Sequence, residues 1–217
     1  MLILLPPSEG KAQPEKGKKL NLSQLLFASE LTGIREGVMP ASVGVSKSRP
    51  AHEIYTGVLY QSLGWSTLSQ AAQKRGEKSI VIISAVFGVL RITDVIPTYK
   101  SKIKAVLWQK TITPLLDERN DDLIIDCRSS TYSTVWKPDP QKTVAIRVFQ
   151  IKNGKRLVIT HMSKKYRGEL TRLLLKQGTS PRTPSEVNAI ASQEFTCEFH
   201  KSDGKLPAYL DLLIDLG

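Results

Sequence analysis

The sequence predicts a mixed α/β fold, with a mixed sheet in a single domain that spans residues 1–217. Strand patterns recur along the whole chain, helical patterns lie between them, and 41% of the residues are hydrophobic. That hydrophobic content is close to the average for globular proteins, so the chain can build a full core and a disordered chain is excluded. No internal repeat or low-complexity tract divides the sequence into smaller units.

The strands are predicted from short apolar runs that end at turn residues. The β-branched run at residues 79–84 is apolar on both faces, as in a strand at the centre of a sheet. Asn153-Gly154 suits a two-residue type I′ hairpin, because both positions of that turn need a positive φ. The predicted strands cover residues 2–5, 79–84, 122–127, 144–151, 155–161, 195–200 and 207–216.

The helices are predicted from apolar residues at helical spacing and from capping residues. Asn21 is an N-cap candidate, and Thr183-Pro184-Ser185-Glu186 predicts a capping box with proline at the first helical position. Gly76 and Gly178 are expected to end the second and fourth helices. The predicted helices cover residues 22–36, 66–75, 107–116 and 163–177, and a further helix begins after Thr183.

Positive charge is concentrated in one segment, residues 137–182. Twelve Lys and Arg residues stand there against only two acidic residues, Asp139 and Glu169, so the segment carries +10 of the total +11. A concentrated positive field attracts polyanions, and nucleic acid is the commonest partner of such a field. A solvated surface that keeps the protein soluble is the alternative. We expect the twelve cations to share one continuous face.

Residues 163–191 predict two helices joined by a short turn. The first helix has an apolar stripe beside a cationic one, and this arrangement could hold the helix on the core while basic side chains meet phosphates. The N-terminus of a helix that follows a tight turn can also donate backbone N–H groups to a phosphate. An ordinary pair of packed helices is the alternative. The predicted DNA-binding residues are Lys164, Lys165, Arg167, Arg172, Lys176 and Arg182.

A second group of polar residues follows the predicted strand ends, where ligand clefts form in α/β folds. Asp94 and Tyr99 are the candidate catalytic residues, with Asp94 as an acid–base group acting on a nucleotide or nucleobase. Arg91 and Asp94 are three residues apart and could instead form a simple salt bridge. The predicted cleft and phosphate-binding residues are Lys11, Arg91, Lys100 and Ser129, with Tyr132 beside them.

The remaining residues limit other classes of function. The two cysteines imply no disulfide framework, and Cys127 lies in a strand pattern typical of a buried thiol. No Cys/His spacing fits a zinc site, so neither a metal nor a cofactor is predicted. No segment is long enough to cross a bilayer and no signal peptide begins the chain, so we expect a cytoplasmic protein without a membrane partner.

A set of motifs resembles the YaaA peroxide-stress family. None is specific alone, and their order along nearly the whole chain carries the resemblance. The motifs are Met1-Leu2-Ile3-Leu4 with Pro7 and Lys11, Tyr55-Thr56-Gly57, Gly88-Val89-Leu90-Arg91 with Asp94, Pro97, Tyr99 and Lys100, Ser129-Ser130-Thr131-Tyr132, and residues 164–172.

The resemblance implies a cytoplasmic protein that protects against hydrogen peroxide by limiting free intracellular iron and the DNA damage it drives. It also implies a single α/β unit of unusual topology, a helix-hairpin-helix element at about residues 163–191, a positive cleft and largely sequence-independent DNA binding. A non-catalytic DNA-binding protein is therefore the favoured hypothesis. An enzyme acting on a nucleotide, nucleobase or damaged DNA is the alternative. An iron-handling protein is a weaker third, because the sequence shows no clustered acids or histidines.

Overall fold

The computed structural model describes residues 1–159 and 161–215, and it confirms the mixed α/β fold class. Residues 160 and 216, which two of the predicted strands include, lie outside this part. The strands are β1 (Leu2–Leu5), β2 (Ser48–Pro50), β3 (Ile80–Ser84), β4 (Gly88–Arg91), β5 (Val95–Pro97), β6 (Ile124–Asp126), β7 (Thr143–Lys152), β8 (Lys155–Val158), β9 (Thr196–His200) and β10 (Ala208–Asp215). The helices are α1 (Ala28–Val38), α2 (Ala41–Gly44), α3 (Ala51–Ile54), α4 (Val58–Leu63), α5 (Gln70–Ser79), α6 (Ala105–Asp117), α7 (Ser130–Ser133), α8 (His161–Lys176) and α9 (Pro184–Ala191).

Parallel strands form the centre of the large sheet. Its order is β4-β3-β1-β6-β7-β10-β9, in which β3, β1, β6, β7 and β10 run parallel while β4 and β9 pair antiparallel at the two edges. The long strand β7 pairs with β10 along most of its length, with β6 through its first residues and with β8 through its last. The carboxyl ends of the parallel strands therefore lie at one edge of the sheet, where ligand sites form in α/β proteins. A separate two-stranded sheet joins β2 and β5.

The helices cover the two faces of the large sheet unequally. On one face, α3, α4, α5, α8 and α9 pack over strands across the sheet, as the buried side chains of Ile3, Ile146 and Leu210 show. On the other face, α1, α6 and Trp136 pack against β1, β3, β4 and β6. Among the described residues, this second core contains no side chain from β7, β8, β9 or β10, so it stops halfway across the sheet.

The helix predicted at residues 66–75 is present, but its ends differ from the prediction. Ser69 caps the helix by accepting a hydrogen bond from a backbone N–H, and the helix continues to Ser79. The end predicted at Gly76 is therefore wrong. A Cβ at this position would lie 2.5 Å from the ring of Trp65, so Gly76 permits close packing inside the helix rather than ending it.

Other local predictions are confirmed. Asn153 and Gly154 have φ values of 51° and 70°, as the type I′ hairpin requires. Thr183 Oγ1 accepts a hydrogen bond from the backbone N–H of Glu186 at 3.2 Å and caps α9. The helix predicted at residues 22–36 is split into a short 3₁₀ turn and α1. Within the described residues, no helix is long and apolar enough to cross a membrane.

Candidate functional site

Helix α8, which carries most of the predicted DNA-binding residues, packs closely against α4. At Gly168 the two helices come so near that a Cβ would lie 2.2 Å from the carbonyl oxygen of Leu59 in α4. Tyr166, Leu170 and Leu174 form the apolar stripe that the sequence predicts and are buried in the core. The inner side of α8 is therefore fixed by packing, and its cations lie around the remaining sides.

Two of the six predicted DNA-binding residues bond to the protein's own backbone. Arg172 Nη1 donates to the carbonyl oxygens of Leu63 and Gly64 at 3.0 and 2.9 Å, where α4 ends. Arg167 Nη2 donates to the carbonyl oxygen of Ile146 in β7 at 3.2 Å. Both guanidinium groups therefore attach α8 to neighbouring elements, and this use of the side chain competes with a phosphate contact.

The other four predicted DNA-binding residues have more exposed side chains or lie at a cavity. Lys176 and Arg182 are exposed. Lys165 Nζ lies 3.7 Å from a carboxylate oxygen of Glu169, and such a surface ion pair contributes little to stability. Lys164 lines a cavity described below. We call these four residues the helix group. They are the cations of α8 and the following loop that can reach a phosphate without first breaking a backbone contact.

The twelve cations of residues 137–182 do not share one face, so that expectation is wrong. Side chains alternate between the faces of a strand. Ile146 and Val148 of β7 point to the core under α8, so Arg147 between them points to the opposite face. Arg156 lies on that same opposite face, because its guanidinium meets the carboxylate that Arg147 binds. The positive charge is therefore divided between the two sides of the sheet.

A cluster of buried polar groups lies at the carboxyl edge of the parallel strands. The Tyr99 hydroxyl is 2.8 Å from the Tyr55 hydroxyl and 2.9 Å from Ser84 Oγ at the end of β3. Lys11 Nζ lies 4.4 Å from the centre of the Tyr99 ring and donates to the carbonyl oxygen of Ser8. We call Lys11, Tyr55, Ser84 and Tyr99 the strand-end site.

Burial changes the acidity of the groups in the strand-end site. It raises the pKa of both the Tyr55 and the Tyr99 phenol, so both stay protonated at neutral pH. Burial also lowers the pKa of the Lys11 ammonium, against the charge of Glu9, which raises it. The site therefore pairs a phenol that holds its proton tightly with an amine that gives up its proton more easily than an exposed lysine.

A cavity of about 140 Å³ lies beside the strand-end site. Its walls are residues 6–10, residues 57–60 and Lys164 of the helix group. Ser8 belongs to both features, because its carbonyl oxygen binds Lys11 and its side chain accepts a hydrogen bond from the backbone N–H of Gly57 at 2.8 Å. The cavity therefore lies between the first turn of α8 and the loop whose Ser8 carbonyl oxygen binds Lys11.

The predicted cleft residues fall into two pairs rather than one cluster. Lys11 and Tyr99 meet in the strand-end site, whereas Arg91 Nε donates to Asp94 Oδ1 at 2.8 Å in the salt bridge that the spacing allowed. The other oxygen of Asp94 accepts from the backbone N–H groups of Arg91 and Leu26 at 3.0 Å. This second pair lines a separate cavity of about 240 Å³ with residues 18–19 and 24–25.

The remaining predicted cleft residues lie on loops at element ends. Lys100 is exposed after β5, and Ser129 is half-buried directly before α7. Tyr132 in α7 is half-buried, and burial together with the charge of Glu9 raises the pKa of its phenol. Tyr132 thus lies near the residue 6–10 wall of the smaller cavity, as the strand-end pattern suggested.

Sequence analysis missed Tyr55 and Ser84 as members of the site. Tyr55 stands in the Tyr55-Thr56-Gly57 motif, which supports the family resemblance but gives no sign of a buried phenol. Ser84 ends a predicted central strand, so its position at a strand end could have indicated it. Nothing in the sequence marks Tyr60, whose hydroxyl donates to the carbonyl oxygen of Pro6 at 2.8 Å, because only the fold brings these segments together.

The two cysteines are free thiols, as expected from the lack of a disulfide pattern. Cys127 is fully buried at the end of β6, and burial raises the pKa of its thiol to about 12, although the nearby Arg167 charge lowers it. In the described part of the chain, no group of three or more His, Cys, Asp or Glu side chains is placed to hold a metal ion.

We expect Cys127 to resist modification in the folded protein. A pKa of about 12 leaves roughly one thiol in 100,000 ionised at pH 7, and the thiolate is the reactive form. Treatment with iodoacetamide between pH 7 and 9 should therefore label the half-buried Cys197 first, with Cys127 labelled only after denaturation. Peptide mass mapping measures both sites. Rapid labelling of Cys127 in the native state would contradict its burial.

Comparisons with known proteins place this chain in a family. A family model described as "Peroxide stress protein YaaA" matches residues 18–201. A UPF0246 protein of Streptomyces coelicolor is 32% identical over 259 aligned residues, which cover 99% of this chain and 98% of the relative. A UPF0246 protein of Corynebacterium efficiens is 34% identical over 231 residues, covering 88% of this chain and 90% of the relative.

Proposed function

Because the chain belongs to the peroxide stress protein YaaA family, we propose that it binds DNA during the response to hydrogen peroxide. The role in peroxide stress follows from the family. Binding to DNA without sequence preference, which would limit damage to DNA and the effect of free intracellular iron, is the further part of the proposal. The helix group of Lys164, Lys165, Lys176 and Arg182 would make the phosphate contacts.

The placement of the helix group carries this proposal. Four cations lie on α8 and the loop that follows it, while the arginines that fix α8 are bonded to the backbone elsewhere. Each Lys or Arg that meets a phosphate releases a condensed counterion, so the logarithm of the binding constant falls by about 0.9 per contact for each tenfold rise in salt. Four contacts predict a slope of about −4 on duplex DNA. Such contacts position the duplex and read no sequence.

A salt titration of duplex binding tests the helix group. Replacing Lys165 and Lys176 together by alanine should reduce the slope by about two, because each lysine accounts for about one counterion. The matched control is the double change of Lys102 and Lys104 to alanine, which removes the same charge from exposed positions before α6. Equal slopes in the two double variants would remove the support for this site.

Arg172→Ala separates a structural arginine from the helix group. Its loss removes the charged donor from the carbonyl oxygens of Leu63 and Gly64, of which Gly64 still accepts from Thr67, and a hydrogen bond to a charged group is worth roughly 1.5–3 kcal/mol. We expect a lower free energy of unfolding in urea by about that amount and an unchanged salt slope at temperatures where the variant is folded. A reduced salt slope of duplex binding with normal stability would instead show that Arg172 contacts DNA.

One observation favours a second candidate function, an enzyme acting on a nucleotide, a nucleobase or damaged DNA. The strand-end site holds a protonated phenol and a partly desolvated amine, and the loop that binds this amine lines a cavity together with Lys164 of α8. General acid–base chemistry can use such an amine as the proton-transfer group and such a phenol as a hydrogen-bond donor to a substrate. The separate Arg91–Asp94 pair would then act at a distance from the reacting groups, as support for the surrounding loops.

The enzyme proposal is tested with Tyr99→Phe and Lys11→Met. Both changes keep most of the side-chain volume and remove one polar group, so turnover on a panel of nucleotides and damaged duplexes should fall by roughly 10²–10⁴-fold. Duplex affinity should stay within about twofold of wild type, because the helix group is intact. If the wild-type protein turns over no member of the panel, this second function is rejected and DNA binding stands without it.

A further inference from the structure

The half of the sheet that the second core leaves without cover presents an ordered set of side chains. Paired residues of neighbouring strands point to the same face, so the register defines three rows across β7, β10 and β9. We call this surface the open half-face. Its rows are Ala145–Tyr209–His200, Arg147–Asp211–Glu198 and Phe149–Leu213–Thr196, and β8 adds Val158 beside Phe149 and Arg156 beside Ile151.

Two aromatic rings of the open half-face are partly exposed and share one arginine. The guanidinium carbon of Arg147 lies 4.3 Å from the centre of the Tyr209 ring and 5.6 Å from that of Phe149. Tyr209 stands four residues from Leu213, the partner of Phe149, so the backbone positions of the two aromatic residues are about 13 Å apart along the strands. Their side chains lean toward Arg147, because the ring centres lie on either side of its guanidinium group and within 5.6 Å of its carbon atom. Three flat groups, two rings and a guanidinium plane, therefore follow one another across the surface.

A charge network holds the arginine in place. Asp211, whose side chain is only 1% exposed, accepts from Arg147 Nη2 at 2.8 Å and lies 3.2 Å from His200 Nε2. Arg156 bonds Glu198 and also approaches Asp211 at 3.5 Å. The Arg147 side chain remains 40% exposed despite these bonds. The network thus neutralises the acids of the surface while it keeps the Arg147 guanidinium beside the rings and open to a ligand.

Positive charge surrounds the open half-face at both ends of its strands. Lys152 and Lys155 are exposed at the β7–β8 turn, and Lys201 and Lys205 are exposed in the loop between β9 and β10. The acids at these ends are Asp215, Glu194 and Asp203, and the Asp203 carboxylate accepts two backbone N–H groups of its own turn. Four lysines against these three acids leave a small surplus of positive charge at the ends of the aromatic rows.

We propose that the open half-face binds single-stranded nucleic acid, with bases stacked on Tyr209 and Phe149 and with phosphates near the flanking lysines. Aromatic rings on a sheet surface, bordered by cations, are the combination that holds unpaired bases. A duplex keeps its bases stacked inside and cannot use the rings. A second copy of this chain is disfavoured as the occupant, because its own flanking lysines would be brought against these. The site lies across the sheet from α8 and does not depend on the helix group.

The experiment is a fluorescence anisotropy titration of labelled oligo(dT) with the full-length protein. Tyr209→Ala and Phe149→Ala should each weaken binding at least about fivefold, because stacking is worth about 1–3 kcal/mol per base. Tyr209→Phe keeps the ring and should bind like wild type. Val106→Ala is the matched control, since it removes an exposed apolar side chain from α6, outside the open half-face. Thermal unfolding of each variant checks that it is folded.

A second measurement needs no variant. Ultraviolet crosslinking of the wild-type protein to oligo(dT), followed by peptide mass mapping, should place the crosslinks at Tyr209 or Phe149. Crosslinks confined to α8, or equal losses of affinity in Val106→Ala and Tyr209→Ala, would overturn the proposal. So would a concentration-dependent dimer that Tyr209→Ala dissociates, with no binding of oligo(dT).

The proposal for duplex binding by the helix group and the proposal for single-strand binding by the open half-face can be rejected independently. If the helix-group variant flattens the duplex salt slope and the ring variants leave oligo(dT) binding unchanged, the open half-face is rejected and the proposed function stands. If duplex DNA does not bind and ring-dependent oligo(dT) binding persists, the helix group is rejected and the open half-face stands.

Discussion

Gly168→Ala should lower the free energy of unfolding by about 1–3 kcal/mol, the usual cost of overpacking a well-packed contact. The added Cβ would lie 2.2 Å from the carbonyl oxygen of Leu59 and 3.0 Å from the Ser62 side chain. Because the nearest atom is backbone, no side-chain rotation relieves the clash, and α8 must move away from α4. A loss of this size corresponds to roughly 2–12 °C in the melting temperature of a chain this long.

Gly33→Ala is the control for Gly168→Ala. Gly33 lies inside α1, and a Cβ there meets nothing within 4 Å. Both changes improve helix propensity by up to about 1 kcal/mol, so Gly33→Ala should be neutral or stabilising. Urea denaturation of the two variants isolates the effect of the α8–α4 contact. Equal stability in both would show that the helices do not meet as closely as described, and would leave the position of the helix group without support.

Asp211→Asn is the second change with a large expected effect. The carboxylate accepts from Arg147 and lies beside Arg156 and His200, with its side chain 1% exposed. Removing one partner of a buried ion pair costs about 3–5 kcal/mol when the remaining charge stays buried. The Arg147 side chain is 40% exposed and can recover hydration, so we expect a smaller loss, about 2 kcal/mol. Chemical denaturation at neutral pH measures it.

Asp122→Asn is the matched control, because it removes the same charge from an exposed position before β6 and should change stability by less than about 0.5 kcal/mol. High salt should reduce the difference in the free energy of unfolding between the two variants only slightly, since a buried ion pair is screened less than a surface ion pair. A variant Asp211→Asn as stable as wild type would mean that Arg147 is held beside the rings by packing alone.

Much of the fold could be predicted because its signals are local. The run at residues 79–84 is apolar on both faces, and only a strand buried between two layers satisfies that pattern. Asn153-Gly154 specifies its turn through backbone sterics at two adjacent residues. Gly76 shows the limit of such reasoning. A glycine near the end of a helical pattern usually ends the helix, but here the ring of Trp65 needs the space that a side chain would fill.

The candidate site was harder to predict, because a charge in the sequence does not say what it will bind. Arg172 aligns with Lys165 and Lys176 on the helix, yet only Arg172 reaches the carbonyl oxygens at the end of α4. Lys11 and Tyr99 were predicted together with Arg91 and Asp94 from their strand-end positions. Each pair is formed, but Arg91 and Asp94 line the larger cavity, whereas Lys11 and Tyr99 belong to the separate strand-end site.

Periodicity, capping residues and net charge, all readable along the chain, were enough to establish an α/β domain with a basic segment and helices at residues 163–191. They act over a few neighbouring residues, so no fold is needed to interpret them. Only long-range packing decided which cations can meet a ligand and which are bonded within the protein. It also divided the basic segment between the two faces of the sheet. Side chains two positions apart in β7 share a face, whereas α8 lies across the sheet from Arg147, and only the path of the chain through the sheet sets that relation.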